Sequence, residues 1–577
     1  MAAHDGLGNI LVLGLGKSGK SVVRYCVDLV GTRVDSVFIA AGAETDDSRA
    51  FVESVAREQV DYAFGDDALA RFADAGVVFD LCIASPGIPF YHDLYVSGLA
   101  HSKELISEVE FAWRESDPES TWIAITGTNG KTTTTSCAAH VLKACGYAAD
   151  AVGNIGDVCL DAVAAGRTRV YVAELSSYQL YSTRYFAPDM AIMLNITPDH
   201  LHWHRTLEAY RDAKFKLIDN MRAASLGAAA FEKLPQGAQA CHPERSEGSP
   251  RSGDLDTPLR GDSSPSAQND KLGMAWSRYQ PESHRGSVVV LDATNDVVRA
   301  KVRELRQMTR EQRGFDYIPM GTADGIGGDM RARCGAENAA FIDSDGRLHV
   351  AFAGTDHVLC AADDLLIKGE HNASNALAAA AVAVALGADD AAIAEALKTF
   401  SPLEHRIEPC GAVDGVECYN DSKATNTDAT VKALGAFPGK RVIALLGGDD
   451  KGTDLADLVS AVHGHAGVAV CYGAGGPRFA RAFEDASAEA PEGFVLAQAK
   501  GMESAIDTAL ELAHPGDVLL LSPACASFDE FTSFEHRGRV FKQIVADRAA
   551  RTAQAGQAGS AGLDGQAGPA GSAGQEE

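Results

Sequence analysis

Short apolar runs, most of them followed by a polar loop and then by a helical pattern, recur along the chain. Runs with the length and β-branched content of buried strands lie at residues 9–13, 36–39, 81–84, 122–125, 170–173, 191–194, 287–291, 341–352, 416–419, 442–446 and 517–521. Helical patterns lie at residues 20–29, 102–113, 132–143, 208–218 and 372–386. Because strands that alternate with helices usually form parallel sheets, the pattern predicts an α/β protein.

The strand predicted at residues 122–125 leads into the turn Gly127-Thr-Asn-Gly-Lys-Thr132 and then into a helix. Gly127 and Gly130 allow a tight turn with inward-pointing N–H groups, and the helix adds its positive N-terminal dipole. Lys131 would contact outer phosphates, and the Thr132 hydroxyl could bind a phosphate-bound Mg²⁺. The full P-loop pattern has a glycine where this chain has Ile125. The motif predicts a variant P-loop; the alternative is a strand–turn–helix joint with a chance Gly-Lys-Thr.

Three further polar clusters follow apolar runs after the P-loop. Asn154 lies between two glycines, Glu174 follows a strand, and Asp199 and His200 follow the next strand. Ligands bind at the carboxyl ends of strands in open parallel sheets, and a carboxylate beside an imidazole suits a cation. Each cluster alone could be a capped strand end, but beside a P-loop the clusters predict a nucleotide and metal site.

The first predicted strand precedes Gly14-Leu-Gly-Lys-Ser-Gly19, which fits a G-x-G-x-x-G pattern. A dinucleotide site also needs an acid at the end of the second strand, where this chain has Ala40 and Ala41. We therefore predict a Rossmann-like domain that binds a phosphate-bearing group at Lys17 and Ser18, with NAD as the alternative. Gly87, after another strand, would allow a close backbone approach.

Several polar residues on predicted helices and loops remain open to more than one interpretation. Lys214 lies on an amphipathic helix, and spacing alone predicts a surface lysine. Asn372 and Asn375, at the start of an alanine-rich helix, could be caps or ligand contacts. Towards the C-terminus, four residues at strand ends could hold an anionic substrate: Lys423, Thr425, Lys451 and Ser527.

Length and changes in composition divide the chain. At 577 residues it is too long for one core. We predict a Rossmann-like N-terminal domain (1–112), a central P-loop ATPase-like domain with a parallel sheet (113–402) and a Rossmann-like C-terminal domain (403–551). Residues 234–286 are rich in Pro, Ser, Gly, Arg and Asp, which predicts a disordered insertion. Residues 552–577 contain Gly-x-y triplets with a single proline, which predicts a flexible tail.

Bulk properties narrow the classes of partner. The net charge of -28 disfavours nucleic acid and anionic membrane surfaces. The 12 cysteines show neither disulfide nor zinc spacing, and no apolar run is long enough to span a membrane. We expect a cytoplasmic monomer that acts on small molecules.

Five motifs occur in one order: Gly127-Thr-Asn-Gly-Lys-Thr132, Glu174-Leu-Ser-Ser-Tyr-Gln179, His371-Asn-Ala-Ser-Asn375, His405-Arg406 and Asn420-Asp-Ser-Lys-Ala-Thr-Asn426. With them, residues 9–548 resemble the ATP-dependent Mur ligases of peptidoglycan synthesis. The N-terminal glycines and Ser522-Pro-Ala-Cys-Ala-Ser-Phe-Asp-Glu-Phe531 are similar to the members that add D-glutamate to UDP-N-acetylmuramoyl-L-alanine. The resemblance implies ATP and Mg²⁺, an acyl-phosphate intermediate and small-molecule substrates.

The resemblance also implies residue roles. ATP-side positions are Gly127, Thr128, Asn129, Gly130, Lys131, Thr132, Thr133, Asn372, Asn375, Arg406 and Asp421. Metal positions are Thr132, Glu174, His200 and Lys214; Lys131, His200 and Lys214 are the catalytic positions, and the lysine at 214 is carbamylated in the family. Positions for the UDP-linked substrate are Lys17, Ser18, Gly87, Asn154 and Gln179, and those for D-glutamate are Lys423, Thr425, Lys451, Ser527 and Phe534.

Other functions remain open at this stage. Another Mur ligase or a folylpolyglutamate synthetase would share the mechanism, and a nucleotide-binding regulator would share only the P-loop. Ala40 and Ala41 also depart from the polar or acidic residues usual in the family, which leaves uracil recognition open.

Overall fold

The predicted alternation of strands and helices is present in the computed structural model, which describes residues 6–65, 67–226, 287–321, 337–450 and 452–563. Within these ranges the strands form three sheets, and most neighbouring strands are parallel. The α/β prediction is therefore confirmed. The insertion predicted at 234–286 lies outside the described residues.

The first sheet has five parallel strands in the order β3-β2-β1-β4-β5. The strands are β1 (Gly8–Leu13), β2 (Val34–Ala41), β3 (Val60–Phe64), β4 (Leu81–Ala84) and β5 (Leu105–Ser107). The helices are α1 (Lys17–Asp28), α2 (Asp46–Ser54), α3 (Ala70–Asp74), α4 (Asp93–His101) and α5 (Glu108–Glu115).

Two predicted helix starts differ from the structure. The helix predicted over 102–113 begins only at Glu108, because the three residues before it pair with β4 as the strand β5. Ser107 then caps α5 by accepting a hydrogen bond from the Glu110 N–H. The first helix begins at Lys17 rather than at residue 20, with Gly16 as its N-cap. Lys17 and Ser18 therefore lie in the first turn of α1.

The second sheet has nine strands in the order β14-β13-β12-β11-β10-β9-β6-β8-β7. The strands are β6 (Thr121–Thr126), β7 (Ala149–Gly153), β8 (Val170–Glu174), β9 (Met190–Met193), β10 (Val288–Asp292), β11 (Asp316–Gly321), β12 (Ala339–Ile342), β13 (Arg347–Phe352) and β14 (Thr355–Ala361). Neighbours from β7 to β12 are parallel, whereas β13 and β14 pair antiparallel.

The helices of this part of the chain are α6 (Lys131–Ala144), α7 (Cys159–Ala165), α8 (Ser177–Tyr181), α9 (Leu201–His204), α10 (Leu207–Leu226), α11 (Asp296–Arg306), α12 (Arg310–Arg313), α13 (Glu370–Ala385) and α14 (Asp390–Thr399), with a 3-10 turn at Ala362–Asp364. The core strands carry β-branched and other apolar residues on both faces. Ile123 and Val172 on one face, and Ala124 and Ala173 on the other, are all fully buried, as expected for parallel strands covered by helices.

The third sheet has six strands in the order β15-β16-β20-β17-β18-β19, parallel except for β15. Its strands are β15 (Glu408–Val413), β16 (Val416–Asn420), β17 (Val442–Gly447), β18 (Ala466–Tyr472), β19 (Val495–Gln498) and β20 (Val518–Leu521). Its helices are α15 (Thr427–Leu434), α16 (Ala456–His465), α17 (Gly476–Asp485), α18 (Met502–Glu511) and α19 (Phe534–Leu563), with a 3-10 turn at Ser487–Glu489.

The chain divides into two compact units. The first comprises residues up to 365 together with 374–400 and holds the first two sheets, and the second comprises 366–373 and the residues from 401 onward. The first two sheets share one hydrophobic core, in which Val109 and Phe111 pack with residues of the second sheet such as Trp122. The three domain boundaries given above stay a prediction.

The C-terminal helix differs from the expected tail. α19 continues to Leu563, past residue 552, where the flexible tail was predicted to begin. Alanine and glutamine, which are frequent there, favour helix more than a Gly-x-y count suggests. Residues 564–577 lie outside the described part of the chain. None of the described helices combines the length and the apolar character of a membrane span.

Candidate active site

Four neighbouring strands of the second sheet bring the predicted polar clusters to one edge. The strands β9, β6, β8 and β7 are adjacent and parallel, so their carboxyl ends face the same way. The P-loop follows β6, Asn154 follows β7, Glu174 ends β8, and Asp199 and His200 follow β9. The edge thus holds backbone N–H groups, carboxylates, amides and an imidazole.

The P-loop needs its two glycines for conformation and for space. Gly127 has a φ of 155° and Gly130 a φ of 84°, values that residues with a Cβ rarely adopt. A Cβ on Gly127 would lie 2.8 Å from the Leu194 Cβ, and one on Gly130 would lie 2.5 Å from Asn375 Oδ1. Gly130 is the N-cap residue of α6, and it makes no side-chain capping hydrogen bond. The first-turn N–H groups of α6 have no intrahelical acceptor, which suits a phosphate.

Two residues that the sequence did not single out hold the loop in place. Asn195, after β9, accepts the Thr128 N–H on its carbonyl at 2.6 Å and the Asn129 N–H on its Oδ1 at 2.9 Å. The hydroxyl of Tyr210, on α10, lies 3.0 Å from Thr128 Oγ1. Asn195 follows the strand-end pattern already noted, but Tyr210 resembles any core aromatic in the sequence.

Lys131 and Lys214 both donate to the P-loop backbone. Lys131 Nζ lies 2.9 Å from the Gly127 carbonyl oxygen and 2.8 Å from that of Thr128. Lys214 Nζ lies 2.8 Å from the same Gly127 oxygen and 3.3 Å from Thr126 Oγ1. Two ammonium groups that share one acceptor repel each other, so protonation of one disfavours protonation of the other.

The expectation that Lys214 is a surface lysine is wrong, because its side chain is only 1% exposed. Burial, followed by repulsion from Lys131, lowers the pKa of Lys214 well below its usual value, against the opposing effect of Asp199 and Glu174. A depressed pKa favours the neutral, nucleophilic form of a lysine amine.

Glu174 presents a carboxylate oxygen that lacks a protein partner. The side chain is 1% exposed, and its Oε1 accepts a hydrogen bond from Asn154 Nδ2 at 2.8 Å. Its Oε2 is buried and has no hydrogen-bond partner among the described residues. Such an oxygen is costly to bury alone, and a hard divalent cation would satisfy it.

Gln179 and His200 are oriented by local contacts. Gln179 Oε1 accepts the Ser176 N–H at 2.9 Å and completes a capping box at the start of α8. His200 has a left-handed φ of 54°, and its Nε2 lies 3.5 Å from Asp199 Oδ2. Its ring centroid lies 4.9 Å from that of Tyr178. The imidazole is thus placed by a carboxylate and an aromatic ring.

The two asparagines of the alanine-rich helix are not N-caps, because α13 begins at Glu370. Asn372 Nδ2 donates to the Lys368 carbonyl at 2.8 Å within the second unit. Asn375 lies one turn further along, and its Oδ1 accepts a hydrogen bond from Thr134 Oγ1 of α6 at 3.1 Å. Asn375 therefore contacts the P-loop helix directly.

The first sheet offers a more exposed group of candidate residues. Lys17 and Gly87 are exposed and Ser18 is half-buried, and all three follow carboxyl ends of the adjacent strands β1 and β4. The Ser85 hydroxyl donates to the Gly14 carbonyl at 3.2 Å and joins the two loops. At the end of β2, Glu44 forms an ion pair with Arg49 at 2.9 Å. The carboxylate of Glu44 is therefore paired with an arginine of the helix that follows, α2.

In the second unit, the loops after β16 and β20 hold most of the predicted anion-binding residues. These strands are adjacent and parallel. Lys423 Nζ lies 3.7 Å from the centroid of the Phe534 ring, a cation–π distance. Ser527 is buried and Thr425 is half-buried. Lys451, which would follow β17, lies outside the described residues.

Asp421 and Arg406 belong to this same unit. Asp421 is buried, and burial raises the pKa of its carboxyl to about 7, against hydrogen bonds and the nearby Arg406. Its Oδ2 accepts a hydrogen bond from Ser522 Oγ at 2.8 Å, and its Oδ1 accepts the Ile407 N–H at 3.3 Å. The carboxyl thus connects the loop after β16 with the loop after β20.

Glu404, His405 and Glu408 lie close enough together to resemble a metal site. However, Lys542 Nζ bridges the two carboxylates, at 2.6 Å from Glu404 and 2.8 Å from Glu408. Asn420 Nδ2 donates to His405 Nδ1 at 2.8 Å, so the neutral imidazole carries its proton on Nε2. The ammonium group of Lys542 and the protonated Nε2 of His405 therefore occupy the positions that a metal ion would need in order to bind these side chains.

Two family models match the chain: the Mur ligase middle domain over residues 125–232, and the Mur ligase, glutamate ligase domain over residues 405–525. The UDP-N-acetylmuramoylalanine--D-glutamate ligase of Thermoanaerobacter sp. (strain X514) is 33% identical over 541 residues, which cover 93% of this chain and 98% of the relative. The chain belongs to the Mur ligase family. The first match begins at the end of β6 and contains the P-loop, Glu174, His200 and Lys214.

Another relative and one solved structure are also similar to this chain. A protein of the same name from Koribacter versatilis (strain Ellin345) is 32% identical over 549 residues, covering 94% of this chain and 97% of the relative. The structure of the UDP-N-acetylmuramate-alanine ligase MurC from Thermotoga maritima is 16% identical, with a TM-score of 0.47 over 93% of this chain and 98% of that chain.

Mur ligases are ATP-dependent enzymes that form an amide bond and release ADP in peptidoglycan precursor synthesis, and this chain is such a ligase. The prediction of an ATP-dependent ligase is therefore confirmed, and the non-enzymatic regulator is excluded. The family assignment does not by itself identify the amino acid that the ligase adds.

Proposed function

We propose that this Mur ligase joins D-glutamate to UDP-N-acetylmuramoyl-L-alanine. The observation that carries the proposal is the 33% identity, over 93% of the chain, to a ligase named for that reaction. Cations and hydroxyls around the loops after β16 and β20 suit an amino acid with two carboxylates. Lys423, Thr425, Lys451, Ser527 and Phe534 would form this pocket.

The reaction would proceed in two transfers. A carboxylate oxygen of the muramoyl-alanine attacks the γ-phosphorus of ATP, which forms an acyl phosphate and releases ADP. The amine of D-glutamate then attacks the acyl carbon, and the tetrahedral intermediate expels phosphate as the amide forms. Both steps gather negative charge, so they need fixed cations. Lys131 would supply one beside the P-loop.

The P-loop would bind the phosphates of ATP. The backbone around Gly127, Thr128, Asn129 and Gly130 and the first turn of α6, including Thr132 and Thr133, would contact them. Further ATP-side residues would be Asn372, Asn375, Arg406 and Asp421. The UDP-linked substrate would contact Lys17, Ser18, Gly87, Asn154 and Gln179.

The residues around Glu174 fit Mg²⁺. The unpartnered, buried Glu174 Oε2 supplies a hard oxygen ligand, and Thr132 and His200 offer a hydroxyl and an imidazole. Bound Mg²⁺ would neutralise charge on the transferring phosphoryl group. The protein groups themselves orient the donors: Asn154 fixes Glu174, and Asp199 and Tyr178 place His200.

Lys214 would act as a carbamate. Its depressed pKa favours the neutral amine, whose nitrogen would attack the carbon of CO₂ and lose a proton to give a carbamate. The carbamate would place an anion beside Lys131, where the ammonium form of Lys214 would be repelled.

The test is phosphate release from ATP with UDP-N-acetylmuramoyl-L-alanine and one amino acid at a time. We expect release with D-glutamate and none with L-glutamate, L-alanine, L-lysine or diaminopimelate. Release with a different amino acid would replace the substrate but keep the ligase mechanism. A folylpolyglutamate synthetase would instead require a folate in place of the UDP-linked substrate.

A matched pair of variants tests the pocket. Lys423→Ala should raise the KM for D-glutamate about tenfold or more, since a charge-assisted contact contributes about 1.5–3 kcal/mol. Lys440→Ala removes an exposed lysine of the same unit and should leave this KM unchanged. Equal effects of the two variants would contradict the pocket assignment.

A further inference from the structure

Arg537 is a buried cation in the second unit that has no carboxylate partner. Its side chain, on the first turn of α19, is 0% exposed. Within the described residues no carboxylate lies within ion-pair distance of its guanidinium. Burying an arginine in this way is costly. If the position served only packing, an apolar side chain would be the less costly solution.

The acceptors of Arg537 lie on two loops. Its Nε and Nη2 donate to Ser422 Oγ and the Ser422 carbonyl, at 2.9 and 2.8 Å. Its Nη2 and Nη1 also donate to the carbonyls of Cys525 and Ala526, both at 3.0 Å. The first loop follows β16 and carries Lys423, and the second follows β20 and continues directly into Ser527.

A third loop is tied to the same place. The Asp449 N–H donates to the Ala526 carbonyl at 2.9 Å, and the Ala526 N–H donates back to Asp449 at 3.1 Å. A Cβ on Gly448 would lie 3.1 Å from Arg537 Nη1 and 2.4 Å from the Ala526 oxygen. This loop follows β17 and leads to residue 451.

The helix that carries Arg537 also carries a residue of the proposed pocket. Phe534 lies one turn earlier, and its carbonyl accepts the Ser422 hydroxyl at 2.8 Å. Ser422 is therefore held by both the backbone and the arginine of α19. A rigid planar guanidinium can span these acceptors, whereas a lysine offers donors at a single point.

We propose that Arg537 is a positioning residue of the amino-acid pocket, which fixes the loops after β16, β17 and β20 relative to one another. The proposal rests on the proposed function, because those loops carry the residues assigned to D-glutamate. Asp421, on the ATP side, has hydrogen bonds of its own to Ser522 and Ile407, which Arg537 does not make. Loss of Arg537 should therefore weaken amino-acid binding more than ATP binding.

The experiment compares Arg537→Met and Arg537→Lys with Arg539→Met, an exposed arginine two residues further along the same helix. We expect Arg537→Met to raise the KM for D-glutamate about tenfold or more, with the KM for ATP within about twofold. Arg537→Lys should fall between Arg537→Met and the wild type, and Arg539→Met should match the wild type. Equal increases in the KM for every substrate, or none, would overturn the proposal.

Hydrogen exchange provides a readout that needs no substrate. Arg537→Lys is used because it keeps the charge and is the variant expected to disturb folding least. In this variant, amides of residues 420–427 and 522–531 should exchange faster, while those of β17 and β18 stay protected. Unchanged exchange in both loops would overturn the proposal even if activity falls. If the wild type uses another amino acid, the proposed substrate is wrong, and the KM comparison is made with that amino acid.

Discussion

Two lysines donate to one carbonyl oxygen of the P-loop, and only one of them is fully buried. Lys131 keeps partial contact with solvent, as a residue that meets incoming phosphates should. Lys214 is enclosed by α10 and the end of β6, where a permanent positive charge would be expensive. The role proposed for Lys214 therefore depends on the reactivity of its amine rather than on a positive charge.

Lys214→Met should lower kcat about 10²-fold or more without lowering the free energy of unfolding. The acceptors it leaves behind keep other partners: the Gly127 oxygen still accepts from Lys131, and Thr126 Oγ1 still donates to the Leu175 carbonyl. Because the folded-state pKa of Lys214 is depressed, this side chain binds fewer protons in the folded than in the unfolded chain, and its contribution to the free energy of unfolding rises with pH up to about 10.5. The variant should lose this rise, measured as the unfolding free energy between pH 7 and 10.

Lys216 provides the matched control on the same helix. It donates to the carbonyls of Tyr181 and Thr183, at the end of α8, where helix carbonyls lack intrahelical partners. Lys216→Met should therefore cost about 1–3 kcal/mol of stability and leave most of the kcat. If Lys214→Met destabilises as much as Lys216→Met while keeping activity, the assigned role of Lys214 is wrong.

At the scale of an element, the start of α6 depends on Gly130, because Asn375 occupies the space into which a side chain at this position would extend. Gly130→Ala places a methyl group 2.5 Å from Asn375 Oδ1 in a left-handed conformation, and we expect a higher KM for ATP. Gly146→Ala, past the other end of the same helix, has a φ of 89° but open space around its Cβ. Both should lose about 1–2 kcal/mol of stability, but only the first should affect ATP. A similar KM in both variants would contradict a phosphate site at Gly130.

The helices α5 and α7 are joined by a buried carboxyl. Glu108 Oε1 accepts the Leu160 N–H at 2.7 Å and caps α7, whose own N-cap, Val158, cannot. Burial raises the pKa of Glu108 to about 7. The folded chain therefore holds an extra proton between about pH 4.5 and 7, and the stabilisation is lost as the pH rises through 7.

Glu108→Gln keeps the acceptor oxygen and removes the titration. We expect the wild-type unfolding free energy to fall by about 2–3 kcal/mol between pH 5 and 8, at about 1.4 kcal/mol per pKa unit, and the variant to fall less. Glu119→Gln, an exposed site nearby, should follow the wild type. Denaturant titrations at several pH values measure the difference, and parallel curves for all three proteins would refute the assignment.

The sequence predicted the elements whose signal is local. The strand, two glycines, lysine and helix of the P-loop occupy consecutive positions, and the polar clusters after β7, β8 and β9 follow from the same pattern. β5 was missed because three residues are too few to show a period. The burial of Lys214, Tyr210 and Arg537 could not be predicted, because burial of a polar side chain depends on partners far away in the chain, such as Thr128 for Tyr210.

At the scale of the whole molecule, the substrates proposed for this chain are all anions, and the chain itself carries a net charge of -28. Long-range repulsion must then be overcome by cations placed at short range. The first unit places Lys131 at the second sheet, and the second unit places Lys423 at the third. Both lysines follow the carboxyl ends of adjacent parallel strands, where the backbone contributes further positive dipole ends.

Residues 236–285 have a composition that cannot bury enough apolar surface to offset the entropy of ordering, so they should be dispensable. Both flanking elements have their own anchors: α10 packs Leu217 and Ile218 in the core, and β10 pairs in register with β9 and β11. Replacing the segment with a short Gly/Ser linker should keep kcat and every KM within about twofold, since loop-closure entropy changes slowly with length. Removal of residues 564–577 serves as the control. If the linker variant loses turnover while the control does not, the segment contributes to folding or to the site.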